Sequence, residues 1–389
     1  MSGPVELRGI TWDHERGRDP LVAAAARFEA DTGIRVRWDV RPLQGFADAP
    51  IPELAQKYDL LVYDHPHIGE IVPTGVLVPL DEIVDSSFIE DQARNSVGPS
   101  HRSYEWDGHL WALAIDAAGH VSAYRPDLVE DLGVGVPGTW DDVWELADRA
   151  RRRGKYISLP LVAVDTLGAL LTLCVNAGVE PYAGHDRLAP RDVALHHLET
   201  LRRLVEIGHP EAFAWNPIRL LEHMAGADDL VYCPMLFGYS NYSRPGFRSN
   251  LVRFRPVPSA GLGPCGGIIG GAGIGISAHS AHREAARDYA VYVASPDVQR
   301  TLYFEASGQP GHRAAWTDTA VNEASGDFFA DTLPGLDAGY LRPRYDGALL
   351  VQNDGGNIVF EFLRNGGDPN ELLDTLDALY RRSLSGAGH

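Results

Sequence analysis

LRGITWDHERGRDPLVAAAARFEADTGIRVRWDV, the sequence of residues 7–40, predicts a strand, a helix and a second strand in succession. Residues 7–11 have the length of a short strand, and Asp19-Pro20 predicts a helix start because aspartate caps helices and proline is favoured in the first helical turn. Residues 34–40 alternate apolar and polar side chains, as a half-buried strand does. This stretch therefore predicts one unit of an alternating α/β fold.

The same alternation continues along the chain. Residues 58–63 are almost continuously apolar, which is typical of a strand that is covered on both faces. Thr139, followed by two aspartates, predicts the amino terminus of a helix, and residues 159–164 predict another buried strand. Strands that alternate with helices form mostly parallel sheets with helices on both faces. The predicted fold class is therefore α/β with a parallel, helix-flanked sheet.

Composition excludes several classes of partner. The 389 residues include 34 Lys and Arg against 53 Asp and Glu, a net charge of −19. Nucleic acids and anionic membranes need clustered positive charge, so we expect neither as a partner. No apolar stretch approaches the roughly 20 residues of a membrane span, so we expect no membrane insertion.

The first residues predict a location. The amino terminus, MSGPVELR, has no basic segment followed by an apolar one, so it does not have the pattern of a secretory leader. Three widely spaced cysteines form neither a disulfide framework nor a metal-binding pattern. We expect a cytoplasmic protein with reduced thiols; the alternative is an extracytoplasmic protein from which a signal peptide has been removed.

Four segments resemble one known family. They are WDGHLWALAID at residues 106–116, YRPDL at 124–128, VPGTWDD at 136–142 and GGAGIGIS at 270–277. In this order they resemble the extracellular solute-binding proteins of the sugar-type ABC importers. Each motif is degenerate by itself, but together with similar segments at residues 28–36 and 281–308 the ordered set spans most of the chain.

The resemblance implies a periplasmic-binding-protein-like fold of two discontinuous α/β lobes joined by hinge strands. One lobe is expected to comprise residues 1–116 and 270–308, and the other residues 117–269 and 309–389. It also implies that a small polar metabolite, a sugar or a related carbohydrate or organic acid, binds in the cleft between the lobes. An ABC permease is the implied partner if the protein is exported.

Candidate ligand-binding residues follow from the position of strand ends. In open α/β sheets, ligands bind outside the carboxyl ends of the strands. Aromatic faces and paired carboxylates suit the C–H surfaces and hydroxyls of sugars. For the first lobe this rule selects Trp12, Asp13, His14, Asp64, His65 and, at the implied hinge, Asp116. The structural alternatives are a turn cap for Asp13 and a core residue for Trp12.

The second lobe offers a polar and aromatic loop after the apolar segment at residues 230–232. Tyr239 and Asn241 are its candidate ligand-binding residues, although such loops also occur as plain surface. Gly266 and Gly267 are added because glycine lets the backbone approach a ligand closely.

A second function class stays open. Carboxylates and imidazoles on neighbouring loops, at Asp13, His14, Asp64, His65 and His67, could act as general acid and base or bind a divalent metal. The alternative to a binding protein is therefore a cytoplasmic enzyme or a ligand sensor built on the same scaffold. The spacing matches no metal-ligand motif, and we expect no metal and no cofactor.

Overall fold

The protein has a mixed α/β fold in a computed structural model that describes residues 5–42, 50–184, 186–261 and 266–386. The strands are β1 (Glu6–Trp12), β2 (Arg35–Arg41), β3 (Leu60–Tyr63), β4 (Glu105–Trp106), β5 (His109–Leu110), β6 (Leu113–Tyr124), β7 (Tyr156–Ile157), β8 (Leu230–Phe237), β9 (Arg253–Pro256) and β10 (Ile269–Ile276). The helices are α1 (Glu15–Thr32), α2 (Ile51–Ala55), α3 (Ile68–Ile71), α4 (Ser86–Arg94), α5 (Pro126–Asp131), α6 (Trp140–Arg152), α7 (Ala163–Asn176), α8 (Arg191–Glu206), α9 (Pro217–Gly226), α10 (Arg283–Ala294), α11 (Pro296–Val298), α12 (Arg313–Trp316), α13 (Thr319–Ser325), α14 (Phe328–Asp337), α15 (Ala348–Asn365) and α16 (Pro369–Gly386).

The chain divides into two compact units, and both are discontinuous in sequence. Unit 1 comprises residues 1–118 and 270–322, and unit 2 comprises residues 119–269 and 323–389. Among the residues that the structure describes, no helix combines the length and the apolar character that crossing a membrane requires.

The sheet of unit 1 is mixed, not parallel as predicted. β1 lies between β2 and β3 and is parallel to both, whereas β10 runs antiparallel to β3. The first three strands are joined through helices, which favours parallel pairing. β10 follows a long excursion of the chain through unit 2, so no helical crossover within unit 1 sets its direction. The predicted buried strand at residues 58–63 is confirmed as the fully buried β3.

Helix α1 begins earlier than the sequence predicts. The imidazole Nδ1 of His14 accepts a hydrogen bond from the backbone N–H of Arg16, so His14 caps the helix at its amino end. Pro20 consequently lies inside the helix, where its missing N–H removes the hydrogen bond to the carbonyl of Arg16. The Asp19-Pro20 start was wrong because a capping histidine is a much weaker sequence signal than aspartate before proline.

A short hairpin explains one of the family-like motifs. β4 and β5 pair through a turn at Asp107 and Gly108, both of which have positive φ, 50° and 80°. Asp-Gly is a favoured dipeptide for the type I′ turn because both of its central residues need that left-handed conformation. The Asp81 carboxylate then accepts from the backbone N–H of Leu110 and fixes the hairpin in unit 1.

Unit 2 contains the carboxyl-terminal part of β6, then β8 and β7 in that order, and β9 also pairs with this part of β6. The strand predicted at residues 159–164 is wrong: these residues form a connecting segment after β7 and then the first residues of α7. Pro160 lacks an N–H for a sheet, and the N–H groups of Leu161 and Val162 donate to the carbonyl of Trp215 instead.

Two predicted features at the start of unit 2 have clear structural roles. Thr139 caps α6 and forms a reciprocal capping box with Asp142, which confirms the predicted helix start. Arg125 of the YRPDL motif is almost completely buried and binds the carboxylates of Asp127 and Asp228. This arginine therefore connects the end of β6 to the segment before β8.

Candidate functional site

The carboxyl end of β1 places three predicted residues in different environments. Trp12 is buried, and its indole packs against the backbone of Gly17 in α1. The carboxylate of Asp13 is mostly exposed and lies 3.7 Å from Arg18. His14 is buried and caps α1 through Nδ1. Trp12 thus has the core position that was its structural alternative, and His14 has a capping role that the sequence did not predict.

A buried ion pair holds Asp116. Arg16 donates from Nε to Asp116 Oδ2 at 2.7 Å and from Nη2 to Oδ1 at 2.5 Å, and each residue is at most 3% exposed. Burial raises the pKa of Asp116, while the charge and the hydrogen bonds of Arg16 oppose that rise and nearby Asp64 adds to it. Sequence reasoning missed Arg16, which is 100 residues away in the chain.

The carboxyl end of β3 brings Asp64 and His65 together. Asp64 Oδ1 accepts from the backbone N–H of His65 at 2.8 Å and lies 2.9 Å from His65 Nδ1.

Sequence reasoning also missed Arg41, a buried residue at the carboxyl end of β2 that is paired with Trp12 across the strands. Burial lowers the pKa of Arg41 to about 10, so its guanidinium stays charged at neutral pH. The strand-end rule could have found Arg41 as the last residue of its strand.

In unit 2, Asn241 lies in a short 3₁₀ helix, Ser240–Ser243, that follows β8. Its side chain has no solvent exposure, and neither amide atom has a hydrogen-bond partner among the residues that the structure describes. Tyr239, just before this helix, is 7% exposed. A buried amide without partners is costly, and in native proteins it calls for a specific explanation such as a ligand.

Asp165, in the first turn of α7, was not selected from the sequence. It is 6% exposed, and its Oδ2 has no hydrogen-bond partner among the described side chains and backbone groups. Burial raises the pKa of Asp165 to about 8, although the positive charge of Arg342 acts against the rise. At neutral pH this carboxyl group is therefore mainly protonated and can both donate and accept a hydrogen bond.

Arg342 and His120 lie beside the end of β8. The guanidinium of Arg342 is 5.8 Å from the centre of the Phe237 ring, and the His120 ring is 4.6 Å from the same ring. His120 Nδ1 is hydrogen-bonded to Thr172 Oγ1 at 2.8 Å. Burial, assisted by the charge of Arg342, lowers the pKa of His120 to about 3, so this imidazole is neutral. Asp165, Arg342 and His120 thus form a polar group in unit 2.

Gly266 and Gly267 are required for packing inside unit 2. A Cβ atom at Gly266 would overlap the backbone of Ala338, and one at Gly267 would lie 2.6 Å from the Cβ of His120. These neighbours account for both glycines without a ligand, and a role of the two residues in binding stays a prediction.

Comparison with known proteins agrees with this architecture. A family model described as bacterial extracellular solute-binding protein matches residues 12–300. The structure is similar to maltose-bound MalE3 of T. maritima, with a TM-score of 0.85, 18% identity and coverage of 97% of this chain and 99% of that one.

Two further solved structures have the same fold. One is an ABC transporter solute-binding protein of Agrobacterium radiobacter K84 in complex with ribitol, with a TM-score of 0.79, 22% identity and coverage of 97% of this chain and 98% of that one. The other is from Thermotoga lettingae TMO, bound with α-D-tagatose, with a TM-score of 0.81, 15% identity and coverage of 98% and 100%. The ordered motifs, the α/β architecture and the family match lead to one conclusion: the chain belongs to the bacterial extracellular solute-binding protein family.

Proposed function

We propose that this protein binds a small, uncharged, hydroxyl-rich solute such as a sugar or a polyol. The observation that carries the proposal is the buried amide of Asn241, whose donor and acceptor are both left without partners among the described residues. A hydroxyl group can satisfy both kinds of atom, because it donates one hydrogen bond and accepts others.

The charges of the candidate residues favour a neutral ligand. Asp116 is neutralised by Arg16 in unit 1. In unit 2, Asp165 is mainly protonated at neutral pH and Arg342 is close enough to affect its pKa. Arg41 adds a buried positive charge, so organic acids belong in the screen as the competing ligand class.

The structurally similar proteins define the first probes. Their solved structures contain maltose, ribitol and α-D-tagatose, which represent a disaccharide, a polyol and a monosaccharide. Thermal-shift screening with these three compounds and a set of sugar acids should show stabilisation by a neutral member, since a ligand that binds only the folded state raises the melting temperature. A protein stabilised only by sugar acids would contradict the uncharged class.

Asn241→Leu tests the site directly. Leucine has a similar size, and the amide it replaces makes no hydrogen bond to the described protein groups. We therefore expect the ligand-free variant to be at least as stable as the parent, while the free energy of ligand binding weakens by about 1–3 kcal/mol, or roughly fivefold to 160-fold in affinity. Calorimetric titration measures the affinity and thermal unfolding measures the stability.

Asn176→Leu is the matched control. Asn176 is also buried in unit 2, but its amide donates to Pro258 O at 3.0 Å and accepts from the indole of Trp140. This control should lose stability and keep its ligand affinity. The binding role of Asn241 would be refuted if Asn241→Leu bound the ligand as tightly as the parent, or if it lost stability as Asn176→Leu does.

The family also supports a role in transport outside the cytoplasm. We propose that the bound solute is passed to an ABC permease, because the chain belongs to a family described as extracellular. That description gives no support to the expectation of a cytoplasmic location. Fractionation of the native cells tests the proposed role in transport, because recovery of the protein in the cytosol alone would argue against it.

The enzyme alternative is tested by recovering the bound solute after long incubation. Chemical conversion of the solute would contradict a simple binding protein.

A further inference from the structure

We propose that unit 2 contains a binding site for a divalent transition metal of the zinc type, formed by His209, His223 and Asp229. Their potential ligand atoms all lie within 4.8 Å of one another. Among the residues that the structure describes, no other group of three His, Cys, Asp or Glu residues has this geometry. The cluster lies before the amino end of β8, whereas Asn241 follows its carboxyl end. It is therefore separate from the candidate solute-binding residues.

The present distances are close to those of a coordinated ion. Asp229 Oδ1 is 2.8 Å from His223 Nε2, and its Oδ2 is 3.4 Å from His209 Nε2. Zn²⁺ binds nitrogen and oxygen ligands at about 2.0–2.2 Å in a tetrahedron, which puts neighbouring ligand atoms roughly 3.3 Å apart. The three ligand atoms lie within 4.8 Å of one another, so side-chain movements of up to about 1.5 Å would bring them to that separation.

The chemistry of the ligands selects the kind of metal. Two imidazoles and one carboxylate suit Zn²⁺ and its transition-metal neighbours, whereas Ca²⁺ and Mg²⁺ prefer sites composed only of oxygen. The side chains of His223 and Asp229 are 24% and 38% exposed, which leaves an entry path and room for water as a fourth ligand.

His209 must change its tautomer to bind a metal through Nε2. His209 Nδ1 accepts from the backbone N–H of Glu211 at 3.1 Å, so the neutral ring carries its proton on Nε2, facing Asp229. A metal bound at Nε2 must displace this proton, which then moves to Nδ1. Nδ1 can then no longer accept the hydrogen bond from the backbone N–H of Glu211. In a neutral imidazole this moves the proton from one ring nitrogen to the other and releases none.

Trp215 provides an internal probe of the site. Its ring stacks on His209 with 4.5 Å between the ring centres, and it lies 4.6 Å from the ring of His223. The backbone carbonyl of Trp215 also accepts from the N–H groups of Leu161 and Val162, just before α7. A paramagnetic ion held by both imidazoles should quench the fluorescence of this tryptophan.

The experiment is a titration of the metal-free protein with Zn²⁺ in a calorimeter. Co²⁺ serves as an absorption probe of tetrahedral coordination, and Cu²⁺ as a quencher of Trp215. We expect one Zn²⁺ per chain, with affinity reduced at least tenfold in His223→Gln and in Asp229→Asn. Trp215→Phe should still bind Zn²⁺ but should lose most of the quenching by Cu²⁺.

His196→Gln is the matched control, because His196 is an exposed histidine of the same unit and lies outside the cluster. It should bind Zn²⁺ as the parent does. The site would be refuted if the parent bound no Zn²⁺, or if His223→Gln and Asp229→Asn both retained the parental affinity. Thermal unfolding of each metal-free variant shows whether a loss of affinity reflects a loss of folding, and Asp229→Asn, the smallest change, decides if His223→Gln does not fold.

Discussion

Replacing Asp165 by asparagine should remove a specific dependence of stability on pH. In the folded protein, burial raises the pKa of Asp165 to about 8, whereas an unfolded aspartate titrates near 3.9. Between these values the folded state keeps a proton that the unfolded state has lost. The free energy of unfolding of the parent should therefore fall as the pH rises through this window, and the contribution of Asp165 is fully present only below pH of about 4.

The size of this effect follows from the two pKa values. A difference of roughly four units corresponds to an upper limit of about 5–6 kcal/mol across the whole window, at about 1.4 kcal/mol per unit. Relaxation of the protein around the charged carboxylate will reduce this value to several kcal/mol. Asparagine has no proton to lose, so Asp165→Asn should gain stability relative to the parent as the pH rises.

Urea unfolding of parent and variant at pH values from about 4.5 to 8 measures this difference. Other groups change the pH dependence of stability equally in parent and variant. Burial lowers the pKa of His120 to about 3 and that of His197 to about 4, so each of these histidines makes the folded protein more stable as the pH rises. Subtracting the two profiles removes these contributions. A difference in stability that stays constant over the whole pH range would refute the raised pKa of Asp165.

Two further predictions concern unit 1, and a glycine of unit 2 serves as a control. Gly17→Ala should cost about 1–3 kcal/mol of stability, because its Cβ would overlap the indole of Trp12. The control Gly138→Ala should be close to neutral, because the heavy atom nearest to its Cβ is 3.9 Å away. Urea unfolding compares the two variants, and equal losses of stability would contradict the packing argument. Arg16→Met should cost about 3–5 kcal/mol because it leaves Asp116 buried without its partner, and adding Asp116→Leu should recover most of that loss. A double variant that is less stable than Arg16→Met would show that Asp116 is stabilised by something other than Arg16.

Local sequence signals were reliable where neighbouring residues carry the whole cause. Thr139 caps a helix because its partner Asp142 is three residues away. Within the segment predicted at residues 58–63, the apolar residues 60–63 form a strand that is buried on both faces. The start of α1 and the strand at residues 159–164 were wrong, because a histidine cap and hydrogen bonds to Trp215 prevailed over local preference.

By itself the sequence determined the α/β class, the family resemblance and several residues at strand ends, since these follow from periodicity and from short motifs. Tertiary structure alone showed that Asp116 is paired with Arg16 and that Asp165 is buried without a partner for Oδ2 among the described groups. It also brought His209, His223 and Asp229 together. The physical reason is that burial, charge compensation and unpaired hydrogen-bonding atoms depend on residues that are distant in the chain, and a linear sequence does not specify which of them meet.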